Sequence, residues 1–424
     1  MTIPADHAQR LVLNDEVHAR PYAQVEAPER ISFLALLAAD GGAGATAALV
    51  RLFERMGRPP PLDAPHVAAD FGTFRLKWER HTEFTSYTFF QRGGFDAPFA
   101  ASAFDAVPAD WLATLPGETV VAAQVAVAKA PEQLPAVWEI AHSFADNPIV
   151  GSAVASGAAS VFTDFRVHAD RMSRFLVLDR GLGRYQAGRV VQRLLEIETY
   201  RMMALLALPV ARRAGGEITV AERDLLALTE RMAGTGAEDE PQLLNELTRL
   251  AAAVESSGSA SKYRFGAARA YYELTRNRIR ELHEESLPGL QTIGEFMERR
   301  LAPAMNTCES VARRQDELSG RIARSSDLLR TRVDIEREQQ NLQVLAQMNR
   351  RAKLQLRLQE TVEGLSVAAI TYYAVGLVSY VVKAAKSLGL HVDHDLAVGV
   401  SIPVVAVLVA LGVRHIRKTV MRAT

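Results

Sequence analysis

The pattern of apolar and polar positions divides the chain into a mixed first part and a helical second part. Short apolar runs between turn-forming residues predict strands over residues 30–38, 74–79, 82–91, 119–128, 160–167 and 174–179. A helix is predicted over residues 45–56, after a glycine-rich turn. Together these elements predict an α+β domain over residues 1–182, with a mostly antiparallel or mixed sheet.

Beyond residue 183, apolar residues recur every three or four positions, which is the period of an amphipathic helix. A mainly helical region is predicted over residues 183–290, with helices at 184–208, 219–233, 240–255 and 261–282. Strong helix formers then continue through residues 291–360, where Pro303 is the only proline. This composition predicts one very long stalk helix.

The predicted stalk has an apolar face that needs a partner. An isolated amphipathic helix of this length is not stable in water, because most helical stability comes from packing. The apolar spacing is regular in places and broken in others, which argues against a simple two-stranded coiled coil. We therefore expect a multi-helix bundle and a homo-oligomer that associates through the stalk and the segment after it.

Two long uncharged runs follow the stalk, at residues 364–382 and 396–413. A membrane-spanning helix needs roughly 20 predominantly apolar residues. The alternative, a pair of buried core helices, is less compatible with uncharged runs of this length. Residues 361–424 are therefore predicted to form a two-helix transmembrane hairpin with a basic C-terminal tail.

Basic residues flank the predicted hairpin on its outer sides. Four precede the first span and four follow the second: Arg350, Arg351, Lys353, Arg357, Arg414, Arg417, Lys418 and Arg422. The connecting loop carries two lysines, diluted by Asp393 and Asp395. By the positive-inside rule, both termini and the main body are predicted to be cytoplasmic.

Overall composition excludes some classes of partner. The chain has 49 basic and 49 acidic side chains, so global charge does not predict nucleic-acid binding. Cys308 is the only cysteine, which excludes an intrachain disulfide and fits a reducing compartment. The membrane bilayer and further copies of the chain are the expected partners, and no cofactor is indicated.

Three polar clusters in the α+β domain are candidate ligand sites. The first contains an acidic pair, a histidine and an arginine: Asp15, Glu16, His18 and Arg20. Such a group can transfer protons or bind an anion. The alternative interpretation is a capped turn whose polar side chains bind the backbone.

The other two clusters are predicted on strands, where alternate residues share a face. His81 and Glu83 can hold a metal ion or a proton, although zinc needs a third protein ligand. Asp164, Arg166 and His168 can recognise a phosphate or carboxylate. The alternatives are a solvated polar sheet face for the first pair and cross-strand ion pairs for the second group.

The predicted hairpin carries two further sets of candidates. One helical face would line the axis of an oligomeric channel: Ser379, Lys383 and Lys386. The loop between the spans contains residue types that bind metals, although such loops are often simply polar: His391, Asp393 and His394. The sequence contains no Gly-x-Ser-x-Gly, Cys-x-x-Cys or His-Glu-x-x-His motif, so enzymatic activity is not favoured.

Specific segments of the chain resemble the bacterial domain-of-unknown-function 3422 family over nearly the whole length. They are NDEVHARP (14–21), HTEFTSYTF (81–89), GRVVQRLLEIETYRMMALLALP (188–209) and LQLRLQETVEGLSVAAITYYAVGL (354–377). The resemblance implies an anchor in the bacterial inner membrane and implies no particular activity.

The predicted architecture is similar, more loosely, to that of CorA-type divalent-cation channels. Those are pentamers in which a Gly-Met-Asn signature follows the first span, whereas here Lys383 and Lys386 occupy that place. The similarity implies a CorA-like homo-oligomer and leaves ion transport in doubt. A membrane-tethered ligand-binding or enzymatic domain and an inner-membrane scaffold are the alternative functions.

Overall fold

The computed structural model describes residues 6–11, 13–14, 21–37, 42–61, 64–234, 239–387 and 393–423. The chain forms two compact units, one of Met1–Gly234 with Gln242–Ser326 and one of Thr235–Pro241 with Asp327–Thr424. The predicted candidates Asp15, Glu16, His18, Arg20 and His391 lie outside the described residues.

The first unit contains a mixed sheet, as predicted. Among the described residues its strands are β1 (Glu29–Leu37), β2 (His66–Asp70), β3 (Arg75–Arg80), β4 (Phe84–Arg92), β5 (Glu118–Lys129), β6 (Val150–Val154), β7 (Ala159–Thr163), β8 (Ser173–Asp179) and β9 (Glu285–Ser286). Their order across the sheet is β2-β3-β4-β1-β5-β8-β7-β6-β9. Neighbouring strands are antiparallel, apart from the parallel pair β5 and β8.

Three short helices accompany these strands: α1 (Ala43–Arg55), α2 (Ala109–Ala113) and α3 (Val137–His142). One face of the sheet packs on α1, with Leu49 and Leu52 against Trp78 and Tyr87. Period-two alternation places Trp78 on this face and its neighbours Lys77 and Glu79 on the other. The second face is also covered, so charged strand residues on that side are buried.

Long helices make up the rest of the described chain: α4 (Arg184–Leu205), α5 (Ala207–Gly234), α6 (Glu240–Leu282), α7 (Ile293–Ser387) and α8 (His394–Ala423). Helix α6 is continuous where two helices were predicted. Ser261 is the first residue of the second predicted helix, and its Oγ lies 3.0 Å from the carbonyl oxygen of Ser257 and 3.2 Å from Oε1 of Gln315 on α7. These contacts stabilise the helix across a segment of modest helix propensity.

Helix α5 begins twelve residues earlier than predicted, because Pro209 lies in its first turn, where a proline is tolerated. Gly215 lies inside the helix and faces Val311 of α7. A Cβ atom added at Gly215 would lie 3.4 Å from the Val311 side chain, so the two helices pack closely at this point. Tertiary packing therefore overrides the local signals that predicted a break.

Helix α7 is 95 residues long and includes both the predicted stalk and the first predicted span. Its first amides are capped by Glu284, whose carboxylate accepts hydrogen bonds from the backbone N–H groups of Ile293 (3.1 Å) and Gly294 (2.8 Å). Ser152 on β6 donates to the same carboxylate at 2.9 Å. The start of α7 is therefore fixed to the sheet. Because α7 runs without a break from Ile293 to Ser387, the predicted stalk and the first predicted span belong to one helix.

Candidate functional site

A small cleft lies between strands β3 and β4 and helix α4. It encloses about 40 Å³, enough for a few water molecules. Its walls are partly apolar, with Phe33, Phe84 and Leu195 among the lining residues. The segment around Ala23 closes one side, and it crosses α4 at Gly188, where an added Cβ would lie 1.7 Å from the Ala23 carbonyl oxygen.

Two charged side chains of β3 are buried in the wall of this cleft. The side chains of Lys77 and Glu79 are only 8% and 10% exposed, and Lys77 Nζ lies 3.1 Å from Glu79 Oε1. Lys77 Nζ also donates to Gln192 Oε1 on α4 at 2.9 Å, and Gln192 Nε2 donates to Glu196 Oε1 at 2.8 Å. Buried charges are unfavourable unless paired and hydrogen-bonded, and both conditions are met here.

The network continues from α4 to α6. Arg278 donates to Glu196 and bonds Glu281 at 2.9 Å, and Arg193 donates to Glu281 at 3.1 Å. Burial lowers the pKa of Arg278, but the charges of Glu196 and Glu281 outweigh burial and raise the pKa above its usual value. The cleft-lining residues Lys77, Glu79, Gln192 and Glu196 thus belong to one network of hydrogen bonds and ion pairs, which extends beyond the cleft to Arg278 on α6.

His81 and Glu83 lie in the turn before β4 rather than on a strand face, which corrects the prediction. The His81 ring stacks on Phe84 with ring centroids 4.3 Å apart and lines the cleft. Glu83 forms a double hydrogen bond with Arg264 on α6, at 3.0 and 3.3 Å. The two side chains therefore have separate partners.

Hydrogen bonding fixes the ionisation of Glu83. Burial raises the pKa of this carboxyl, but hydrogen bonds from Tyr271 and Tyr263 and the charge of Arg264 outweigh burial and hold the pKa below its usual value. Burial and the neighbouring Glu83 raise the pKa of Tyr271. Tyr271 also stacks on Tyr200 of α4, with centroids 5.7 Å apart, so Glu83 ties the β3–β4 turn to the helices beside the cleft.

The predicted cluster at 164–168 lies beyond the end of β7, which stops at Thr163, so its residues do not alternate on a strand. Asp164 Oδ2 is 2.9 Å from His168 Nε2 and accepts from Asn147 Nδ2 at 2.9 Å. Arg166 is exposed, and its backbone N–H donates to Asp164 Oδ1 at 3.1 Å. The contact between the side chains of Asp164 and His168 is thus local to one loop.

Strand order separates this loop from the cleft. Strands β1, β5 and β8 lie between β4 and β7, which are therefore about 19 Å apart at the usual strand spacing. The structure does not bring Asp164, Arg166 and His168 to His81 and Glu83.

The predicted metal ligands in the loop between the spans are only partly described. Asp393 Oδ1 accepts hydrogen bonds from the backbone N–H groups of Asp395 (3.1 Å) and Leu396 (3.4 Å), so it caps the start of α8. The side chain of His394 is outside the description, as His391 is. Over the described part of the chain, no three His, Cys, Asp or Glu side chains are grouped to hold a metal ion.

The predicted pore-facing residues lie near the end of α7. Ser379 is half-buried and Lys383 is exposed, while the side chain of Lys386 is outside the described set. Their common helical face follows from the spacing and stays a prediction.

Among the residues that the structure describes, two helices are long and apolar enough to be candidate membrane spans. The apolar window within Ile293–Ala385 has a mean hydropathy of 1.8, and that within Asp395–Ile416 has 2.6; neither window is buried within the chain.

Comparison with known proteins supports one assignment. A family model described as "Protein of unknown function (DUF3422)" matches residues 5–420. The chain belongs to the DUF3422 family. No curated protein and no solved structure matches it, so the similarity to CorA-type channels gains no support from a known structure.

The network in this DUF3422 chain contains residues that the sequence analysis did not select. The sequence around Lys77 and Glu79 indicates only weakly that they are buried: the two charges occupy alternate positions of a strand whose other face is apolar. For Gln192, Glu196 and Arg278 the sequence gives no such indication, since charged residues on amphipathic helices are usually solvated.

Proposed function

We propose that this DUF3422 protein is a homo-oligomer anchored in the bacterial inner membrane, with its termini and its sheet-containing unit in the cytoplasm. The observation that carries the proposal is the exposure of the two apolar windows, none of which is buried within the chain. Burial of apolar surface is worth about 25 cal/mol per Å², so surfaces of this size need an apolar surrounding. A bilayer covers them at the length that both helices have.

The basic flanks support the orientation. Arg350, Arg351, Lys353 and Arg357 precede the first span, and Arg414 follows the second. The CorA-like plan enters this proposal only as a plan of assembly. Transport of cations is left out, because Lys383 is exposed where the first span ends and would repel them.

Membrane fractionation tests the anchor. We expect the full-length protein to stay in the membrane after an alkaline carbonate wash. The double variant Ile370→Arg with Val407→Arg is expected to be washed out, because each arginine at mid-span costs about 2.5–3.5 kcal/mol of insertion free energy. Val220→Arg, at an exposed position of α5, is the matched control. An unmodified chain that washes out of the membrane contradicts the proposal.

A second function, binding of a small polar ligand in the cleft, is favoured by one observation. Lys77 and Glu79 are buried beside a cavity, where an apolar pair of similar size would be at least as stable. Lys77 and Glu79 supply a donor and an acceptor, which suits a ligand that carries both. Because the cleft is small, thermal shift of the detergent-purified protein against glycine and other small polar molecules tests this function. A ligand that stabilises the unmodified chain and the Lys77→Met, Glu79→Leu variant equally does not bind in the cleft.

A further inference from the structure

Residues 337–362 of α7 are exposed on every side, whereas Leu329, eight residues before them, is fully buried. Between residues 328 and 358, nine large apolar side chains of α7 are exposed: Leu328, Ile335, Leu342, Val344, Leu345, Met348, Leu354, Leu356 and Leu358. Leucine and isoleucine lose roughly 1.5–3 kcal/mol each when left in water rather than buried. This segment of the helix therefore needs a partner that covers these side chains.

Five of these nine side chains, at 328, 335, 342, 345 and 356, lie on one seven-residue repeat, and the other four lie off it. Leu328, Ile335, Leu342, Asn349 and Leu356 are each seven residues apart and define position a of a heptad. Leu345 and Ala352 then occupy position d in the second half, whereas Thr331 and Glu338 occupy it in the first half. A seven-residue repeat on an α-helix favours a left-handed supercoil with a second helix of the same repeat.

We propose that α7 of neighbouring copies of this chain packs in parallel along this seam, within the multi-helix bundle that the broken apolar spacing favours; the seam is defined as residues 328, 335, 342, 345, 349, 352 and 356. The inference rests on the proposed anchor, since two hairpins inserted from one side of a membrane give their stalks the same direction. In a parallel pair, Asn349 of one copy faces Asn349 of the other. An asparagine at one a position fixes the register of the packed helices.

The charges beside the seam fit a parallel pair. Each g residue faces the e residue five positions later in the partner, giving Asp327–Arg332, Asp334–Gln339, Asn341–Ala346, Met348–Lys353 and Gln355–Glu360. No pair brings like charges together, and the first brings opposite charges together. Arg332 also contacts Glu240 of its own chain at 2.7 Å, which adds a second carboxylate to that group.

Disulfide cross-linking in native membranes tests the seam. The full chain with Cys308→Ala is cysteine-free, so each added cysteine reports alone. We expect Ile335→Cys, Leu342→Cys and Asn349→Cys to form at least fivefold more covalent dimer on mild oxidation than Gln340→Cys and Gln347→Cys. The two control positions lie on the opposite side of the helix, about 160° from the seam.

The register of the packed α7 helices and the strength of their association give a second readout. Co-expression of Ile335→Cys and Asn349→Cys chains is expected to give dimers of like chains only, because the two positions are about 21 Å apart along the helix. Glu338→Leu fills a weak d position and is expected to raise the dimer fraction after detergent extraction, whereas Ile335→Asp with Leu342→Asp is expected to lower it.

The outcomes separate this inference from the proposed function. Equal cross-linking at seam and control positions overturns the seam. An oligomer on native gels without seam cross-links also overturns it and leaves association to the hairpin. A carbonate-resistant monomer removes both the seam and the homo-oligomer, while the anchor stands.

Discussion

Apolar side chains are buried in the first part of α7 and exposed in the second part. Leu318 and Ile322, in the first part, are each 1% exposed, as are residues in the core of the sheet. From Leu342 to Leu358 the apolar side chains are exposed, and farther along the helix Tyr372 reaches 78% exposure. One helix thus continues from a self-sufficient core into a surface that the single chain leaves uncovered. The apolar side chains of the first region are covered by other residues of the same chain, whereas those of the second region need a cover from outside the chain.

Matched leucine truncations give the largest expected contrast between the two regions. Leu52 is 0% exposed in the core beside α1 and Leu408 is 63% exposed on α8. Leu52→Ala is expected to destabilise the first unit by about 2–5 kcal/mol, because it opens a cavity. Leu408→Ala is expected to leave that unit unchanged. Trp78, Trp111 and Trp138 all lie in the first unit, so tryptophan fluorescence during urea unfolding in detergent follows it selectively.

Removing one partner of the buried Lys77–Glu79 pair is expected to lower the free energy of unfolding by a comparable amount. Lys77→Met leaves the buried Glu79 without its cationic partner, which costs about 3–5 kcal/mol. The double variant Lys77→Met, Glu79→Leu is expected to recover most of this loss, since an apolar pair replaces the ion pair. Urea midpoints of both variants check the prediction. Equal loss in the two variants would show that Lys77 stabilises through contacts other than Glu79.

Acid is expected to weaken the link between the β3–β4 turn and α6. Because the folded-state pKa of Glu83 lies below its usual value of 4.5, the carboxylate stabilises the fold above that pH. The contribution is lost as pH falls through the folded-state pKa. Glu83→Gln is expected to cost about 1.5–3 kcal/mol at pH 7 and to flatten the acid limb of stability. Unfolding midpoints measured from pH 7 to pH 3 test this, with Glu26→Gln on the surface as control.

The smallest expected effect concerns Tyr87 in the core. Burial raises the pKa of this phenol to about 12. The folded state therefore keeps Tyr87 protonated between pH 10 and 12, and its contribution to stability is lost as pH rises through the raised pKa. Tyr87→Phe is expected to remove one late step from the absorbance titration of tyrosinate. An unchanged titration would place that step on another tyrosine, such as Tyr271.

Local patterns in the sequence predicted the elements and missed the contacts between them. The apolar runs predicted β1, β3, β5 and β8, because each of these strands consists largely of apolar residues that are buried in the fold. Lys77 and Gln192 are 115 residues apart, so no short pattern could join them. The strand assigned to 160–167 ended early at Thr163, where the Asp164 side chain bonds the backbone of Arg166 and turns the chain.

Helix boundaries failed for a related reason. Serine, glycine and proline predicted breaks in α5 and α6, but packing against α7 holds both helices through these residues. The membrane spans were predictable because a bilayer demands length and absence of charge, which the chain itself displays. The cleft was not, because it depends on which helix covers which strand.

Labelling of single cysteines in intact membranes tests the central claim most directly. In the Cys308→Ala chain, Tyr373→Cys and Leu345→Cys replace two exposed apolar side chains of the same helix. A membrane-impermeant maleimide, applied to inside-out vesicles, is expected to label Leu345→Cys once mild detergent below the solubilising concentration has loosened the packed helices. Tyr373→Cys is expected to react only after full denaturation. Equal labelling of the two positions in the detergent-loosened vesicles would contradict a membrane-covered span.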